Sequence, residues 1–284
     1  MNLWAISDLH VGHPPNAKAL LDMPAHPSDW LILGGDLGER EDHLRFTFDT
    51  LGPRFAKLIW VPGNHELYTT PRDPLQEVGP ARYARLVELA RDHGVLTPED
   101  PWPLWPGDGP PTRLAPTFLL YDYSFGPDGL TPNQMRAWAA EAGIYSADER
   151  YIDPSPYPDM GAWSRARVEE TERRLRAVTE RVVLINHWPL RQDLVRLGRI
   201  QRFLPWCGSR ATEAWHTRYP IDVVVNGHLH MRATDWRDGV RFEEVALGYP
   251  RHWHQEKGIG AYLRRILPRV PAPDGGQGGP VWHR

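Results

Sequence analysis

The stretch VVVNGHLHM, residues 223–231, sets an apolar run against two histidines one residue apart. Three β-branched valines read as a buried strand, and Asn226-Gly227 reads as the turn that ends it. His228 and His230 then stand at a strand end. On an extended chain, side chains two residues apart point the same way, so the two imidazoles can converge on one ion. A turn that merely tolerates histidine is the alternative this stretch alone leaves open.

Working outward, other runs end alike. LWAIS (3–7) ends at Asp8, WLILG (30–34) at Gly35-Asp36, and KLIWVPG (57–63) at Asn64-His65. TFLLYDYS (117–124) ends at Ser124, RVVLIN (181–186) at His187, and VRFEEVAL (240–247) at Gly248. Short runs rich in Ile, Val and Leu predict buried strands. Helix-like segments lie between them, at 41–55, 79–93, 131–143, 161–181 and 209–218. Thr131-Pro132 is a helix start, with Thr131 as cap and Pro132 in the first turn. The alternation predicts an α/β protein with two sheets or one large mixed sheet.

The composition excludes several classes. Apolar residues make up 41% of the 284, enough for a substantial core. The formal charge of −3 gives no case for general nucleic-acid binding. A lone cysteine, Cys207, cannot form an internal disulfide and suits a reducing, cytoplasmic setting. MNLWAISDLH has neither the basic nor the apolar region of a signal peptide, and no apolar run approaches membrane-spanning length. Thirteen histidines favour metal chemistry. Residues 1–267 read as one domain and 268–284, PAPDGGQGGPVWHR at its end, as a flexible tail. Two segments rich in Pro, Gly and aromatics, about 97–116 and 136–165, read as surface loops or lids.

Five blocks close on residues that bind metals: Asp8 and His10 in SDLH, Asp36 in GGDLG, Asn64 and His65 in PGNHE, His187 in INHWP, and His228 with His230. Each block alone has a plain reading as a turn. Together they all fall where a strand gives way to a loop, the edge at which open α/β sheets bind ligands. His65 set aside, two aspartates, one asparagine and four histidines are too many donors for one ion and suit two. Nitrogen and hard-oxygen donors without thiolate fit Mn, Fe or Zn.

The ordered pattern D-x-H, G-D, G-N-H-E, H, G-H-x-H resembles the calcineurin-like metallophosphoesterase family. That resemblance implies a four-layer α/β-β/α sandwich of two mixed sheets flanked by helices, with a dinuclear metal site on one edge. Carried over, Asp8, His10 and His230 would hold one ion, Asn64, His187 and His228 the other, and Asp36 would bridge. His65 would be a catalytic non-ligand facing the leaving group. Two ions roughly 3.5–4 Å apart clamp a phosphoryl centre and supply a nucleophilic water. No protein nucleophile is then needed, in keeping with the lack of a G-x-S-x-G or P-loop pattern.

The substrate is read less directly. Residues 203–231, 238–253 and 143–160 resemble an actinobacterial branch that includes mycobacterial phosphopantetheinyl hydrolases. The resemblance implies a phosphodiesterase that removes 4′-phosphopantetheine from holo acyl carrier protein, an acidic partner. Arg191, Arg196, Arg199, Arg202 and Arg210 form a cationic run that reads either as a solvated face or as a patch for that partner. Trp138, Tyr145, Tyr151, Tyr157 and Trp163 read either as packing of an insertion or as a wall gripping an organic group. A small-molecule or cyclic-nucleotide phosphodiesterase, a phosphomonoesterase, a Ser/Thr protein phosphatase and a non-catalytic scaffold remain alternatives. His252 and His254 read as structural or exposed, or as neighbours of the ligands.

Overall fold

A computed structural model describes residues 1–71 and 73–283. One sheet contains β1 (Leu3–Ile6), β2 (His26–Leu33), β3 (Phe55–Trp60) and β9 (Arg264–Leu267), in the order β3-β2-β1-β9. Its first three strands are parallel and β9 is antiparallel to β1. The other sheet contains β4 (Thr112–Pro116), β5 (Arg181–Ile185), β6 (Ile221–Asn226), β7 (Ala233–Arg237), β8 (Val240–Glu244) and β10 (Gly278–Trp282). Its order is β10-β7-β8-β6-β5-β4. Strands β4, β5, β6 and β8 run parallel, while β7 and β10 are antiparallel to their neighbours.

The valines of the opening stretch show how the layers form. Val223 and Val225 pack with Leu3, Ala5, Ile32 and Ile59 of the facing sheet. Val224 points the other way, into a cluster with Leu175 and Trp215. Strand alternation thus places every second residue between the sheets and the rest beneath helices. Helices α1 (Pro14–Leu21), α2 (Glu41–Leu51) and α3 (Gly79–Asp92) cover the four-stranded sheet through Leu20, Leu44, Phe48 and Leu86. Helix α6 (Met160–Leu175) and the short α7 (Trp215–Arg218) cover the six-stranded one. This is the four-layer sandwich expected. Helix α4 (Pro132–Ala140) opens on Thr131 with a full capping box to Gln134, and α5 (Asp148–Tyr151) is a single turn.

Both sheets meet at one edge. Ser7 forms a parallel bridge to Ala246. The Ser7 amide donates to Val245 O at 3.1 Å, the Leu247 amide to Ser7 O at 2.8 Å, and the Gly248 amide to Asp8 O at 3.0 Å. That seam lies at the carboxyl ends of β1, β2, β3, β5 and β6, where all five predicted blocks fall.

Several expectations need correction. Residues 112–116 are strand β4, inside a segment read as a surface loop. Trp102 and Trp105 of that segment are buried, and Trp105 packs edge-on against Trp30 of β2 at 5.8 Å. Its two tryptophans are therefore core, while Leu104, Pro106 and residues 108–111 stay exposed; the prolines break helix and strand patterning without preventing that burial. Residues 117–124, expected as a strand, are irregular, because the Asn186 side chain takes the Leu119 amide at 2.9 Å and Tyr123 has φ 67°. Helix 161–181 stops at Leu175, and 209–218 splits into a 3₁₀ turn and α7. The stretch read as a flexible tail carries β10, paired with β7. Backbone pairing needs no apolar side chain, so composition gave no sign of it. Among the described residues no helix is long and apolar enough to cross a membrane.

Trp105→Ala should lower unfolding free energy by about 3–5 kcal/mol, the usual cost of truncating a large core aromatic. Denaturant unfolding measures this. Native stability with altered turnover would restore the lid reading.

Candidate metal centre

Three of the five blocks enter the seam by left-handed turns, while Asn64 keeps ordinary helical backbone (φ −72°). Asp8 (φ 54°), His10 (φ 42°), Asp36 (φ 52°), His228 (φ 75°) and His230 (φ 53°) all have positive φ. Such backbone is rare outside glycine and costs of order 1–3 kcal/mol per residue. The i, i+2 argument from an extended chain therefore fails in detail. These pairs converge because the backbone curls, and the two histidines of GHLH go to different partners.

His230 Nε2 lies 3.0 Å from Asp8 Oδ1 and 3.2 Å from His10 Nε2. His228 Nδ1 lies 3.2 Å from Asn64 Oδ1. Asp36 stands between the two sets: its Oδ2 is 4.0 Å from His10 Nε2 and 3.5 Å from His187 Nε2. Ligand-capable atoms of Asp8, His10 and His230 lie within 4.8 Å of one another, as do those of Asp8, Asp36 and His187. His10, Asp36 and His65 form a third such group, so His65 is close enough to be weighed as a donor. Its Nε2 is 3.9 Å from Asp36 Oδ2, and its Nδ1 faces Glu39 Oε1 at 3.2 Å. All eight predicted site residues are thus at one place.

The donor set fits metal ions on a further ground. The Nε2 atoms of His187 and His228 are buried and make no hydrogen bond. Buried polar atoms are rarely left so. Burial and the neighbouring His187 push His228 down to about 3, leaving a neutral imidazole. His10 is likewise driven well below its usual value by burial and by His65. Burial would raise Asp36, but His187, His65 and His10 outweigh it and hold the carboxyl well below its usual range. Burial opposes charge on His187, yet Asp36 and Asp8 draw it up to about 10. His65 is raised to about 9 against burial by Asp36 and Glu39. Two buried carboxylates thus demand positive charge at this point.

Supporting groups hold the donors. Ser7 Oγ donates to Asp8 Oδ2 at 2.5 Å, and the His228 amide also faces that carboxylate at 3.2 Å. The His65 amide donates to Asp36 Oδ1 at 2.9 Å. His187 Nδ1 meets Gly34 O at 2.9 Å, which leaves Nε2 for the site. His252 Nδ1 lies 3.0 Å from His230 Nδ1, so His252 is a neighbour of the ligands, while His254 is exposed beside Glu256. Gly63 and Gly227 approach the Asp36 and Asp8 carboxylates so closely that a Cβ would collide with them. Tyr249 stacks on His10 at 4.4 Å, and Phe203 on His228 at 6.1 Å.

Glu66, the last residue of the PGNHE block, faces backbone amides. Fully buried, it accepts the amides of Asp36 (2.9 Å), Leu37 (2.8 Å) and Gly63 (2.9 Å). It ties the second block to the third. Asp148 was missed as a site residue. Its Oδ1 accepts from Asn64 Nδ2 at 3.0 Å and from Tyr68 OH at 2.7 Å. A lone aspartate in an irregular insertion carries no local signal.

The cationic run is mostly paired. Arg191 meets Asp193, Arg196 grips Asp235 through two bonds of 2.8 and 2.7 Å, Arg202 meets Glu141, and Arg210 meets Asp128. Arg199 alone of the five has no ion-pair partner among the described residues. The aromatic segment is largely packing: Trp163 is buried against Phe118, Tyr157 stacks on Trp163, and Tyr151 leans on Tyr68. Tyr145 is exposed. Cys207 is buried.

Residues 1–232 match the family described as calcineurin-like phosphoesterase, and the chain belongs to it. Within that family it is 48% identical over 272 residues to the [acyl-carrier-protein] phosphodiesterase PptH of Mycobacterium tuberculosis, covering 94% of this chain and 83% of that protein. The crystal structure of phosphopantetheinyl hydrolase (PptH) from the same organism superposes with a TM-score of 0.87 at 46% identity, covering 94% of this chain and 96% of that one.

Glu66→Ala should leave three buried amides without an acceptor, each worth about 1–3 kcal/mol. The expected outcome is a stability loss of about 3 kcal/mol or more with reduced metal content, read by unfolding and elemental analysis. Unchanged stability would show that Glu66 does not hold the two blocks together.

Proposed function

We propose that this chain is a dinuclear-metal phosphodiesterase that removes 4′-phosphopantetheine from holo acyl carrier protein. The observation that carries the reading is the 48% identity to an acyl-carrier-protein phosphodiesterase across nearly the whole chain, with every donor at the seam. Asp8, His10 and His230 hold one ion, and Asn64, His187 and His228 the other, with Asp36 between them. Mixed nitrogen and oxygen donors favour Mn or Fe, with Zn also accommodated. When bound, the ions supply the activated water and the clamp on the phosphoryl oxygens. Residues 1–267 act as one catalytic domain, and the buried free Cys207 suits a cytoplasmic setting.

The side chains then have separate tasks. Glu39 accepts from His65 Nδ1, so Nε2 faces the centre. Hydrolysis breaks the bond from phosphorus to the carrier protein's serine oxygen, and His65 Nε2 gives that oxygen its proton. The products are apo carrier protein and 4′-phosphopantetheine. Tyr249 and Phe203 cover the outer faces of His10 and His228. Beside His10 a cavity of about 310 Å³, lined by His13, Glu39, Arg40, His43 and Thr70, gives the diester room.

Holo acyl carrier protein incubated with the Mn-loaded enzyme should lose the mass of the phosphopantetheine arm. An unchanged mass, with nucleotide or simple diesters cleaved instead, would overturn this substrate. His65→Ala should keep both metals and lose about 10²–10⁴-fold in turnover, the usual range for a proton donor. Metal loss in that variant would make His65 a ligand.

A further inference from the structure

We propose that Asp148 is a positioning residue that fixes the Asn64 amide with its oxygen toward one of the two metal ions. This deepens the dinuclear reading above and rests on it.

Asn64, Tyr68 and Asp148 are all buried, at 5%, 4% and 2% exposure. Asn64 Nδ2 has two hydrogens. One goes to Tyr68 OH at 3.0 Å and the other to Asp148 Oδ1 at 3.0 Å. Tyr68 OH can accept because its own hydrogen goes to Asp148 Oδ1 at 2.7 Å. The triangle is satisfied in one orientation only. A flipped amide would turn its oxygen toward a carboxylate and a phenol oxygen that has spent its proton. It would also turn NH₂ toward His228. As it stands, Asn64 Oδ1 faces His228 Nδ1 at 3.2 Å.

Asp148 belongs to α5 in the insertion, not to the family's metal blocks. The insertion is anchored here a second time, where the Thr69 amide donates to Tyr151 O at 2.8 Å. Asn64 is on the loop after β3. A segment outside the metal blocks therefore orients a donor within one of them, and it touches only the set that contains Asn64. A defect at Asp148 should weaken that ion and spare the one held by Asp8, His10 and His230.

The test is Mn²⁺ binding to metal-depleted protein, with ions counted after equilibrium dialysis across a range of Mn²⁺ concentrations. The native chain should hold two. In Asp148→Leu the more weakly held ion should need about 10–100-fold more Mn²⁺, the usual cost of losing a group that orients a ligand, while the other is unchanged. Asp148→Asn, whose Oδ1 can accept both bonds, should bind nearly as the native chain does. Diester turnover by Asp148→Leu should return at high Mn²⁺, which general disruption would not allow. The proposal is overturned if Asp148→Leu binds both ions with native affinity, or if both weaken together and the melting temperature falls. Failure of the carrier protein as substrate, with the selective metal defect present, would sink the substrate assignment and uphold Asp148.

Discussion

The seam between the sheets is the constraint on which the centre depends. The candidate metal-binding blocks come from different sheets: Asp8, His10, Asp36 and Asn64 follow strands of the four-stranded one, and His187, His228 and His230 follow strands of the six-stranded one. They can share a point only if the sheets are in register at that edge. The pairing of Ser7 with residues 245–247 sets that register. Asp8 follows directly, and its carboxylate takes the His228 amide from the other sheet. The valines, leucines and isoleucines between the sheets exclude water and keep the layers apart; the backbone bonds at the seam decide alignment.

The left-handed turns follow from that demand. Donors from several strand ends must point inward within a few ångströms, and an extended chain would carry successive side chains to opposite faces. Five non-glycine residues instead adopt positive φ. At Asp36 the backbone cost is offset by the amides of Asp36, Leu37 and Gly63, which all donate to the Glu66 carboxylate. Strain is concentrated where chemistry needs it, as is usual at functional sites.

The donors were legible because their residue types are few, their order is fixed and each follows an apolar run. Strands such as 221–226 were legible because Val223, Val224 and Val225 must each find an apolar layer. What escaped depends on partners distant in sequence. Asp148 reaches Asn64 across 84 residues, and Arg196 is neutralised by Asp235 of β7. A run of arginines looks cationic until its carboxylates are placed. Strand β10 was hidden because Gly278, Gly279 and Pro280 have no strand preference, and the open backbone of β7 supplies what they lack.

That strand also bears on how the molecule behaves among its own copies. An open sheet has two borders, and each presents backbone groups to any extended chain that drifts past. In the six-stranded sheet one border is β10, where Pro280 offers no amide proton. The other is β4, and there Leu104 bridges to Arg113 while the Trp105 amide donates to Thr112 O at 2.8 Å. The tryptophan-rich segment that looked like a lid thus seals one border, and a glycine–proline strand blunts the other. In the six-stranded sheet, both places where unwanted strand pairing would begin are thus closed.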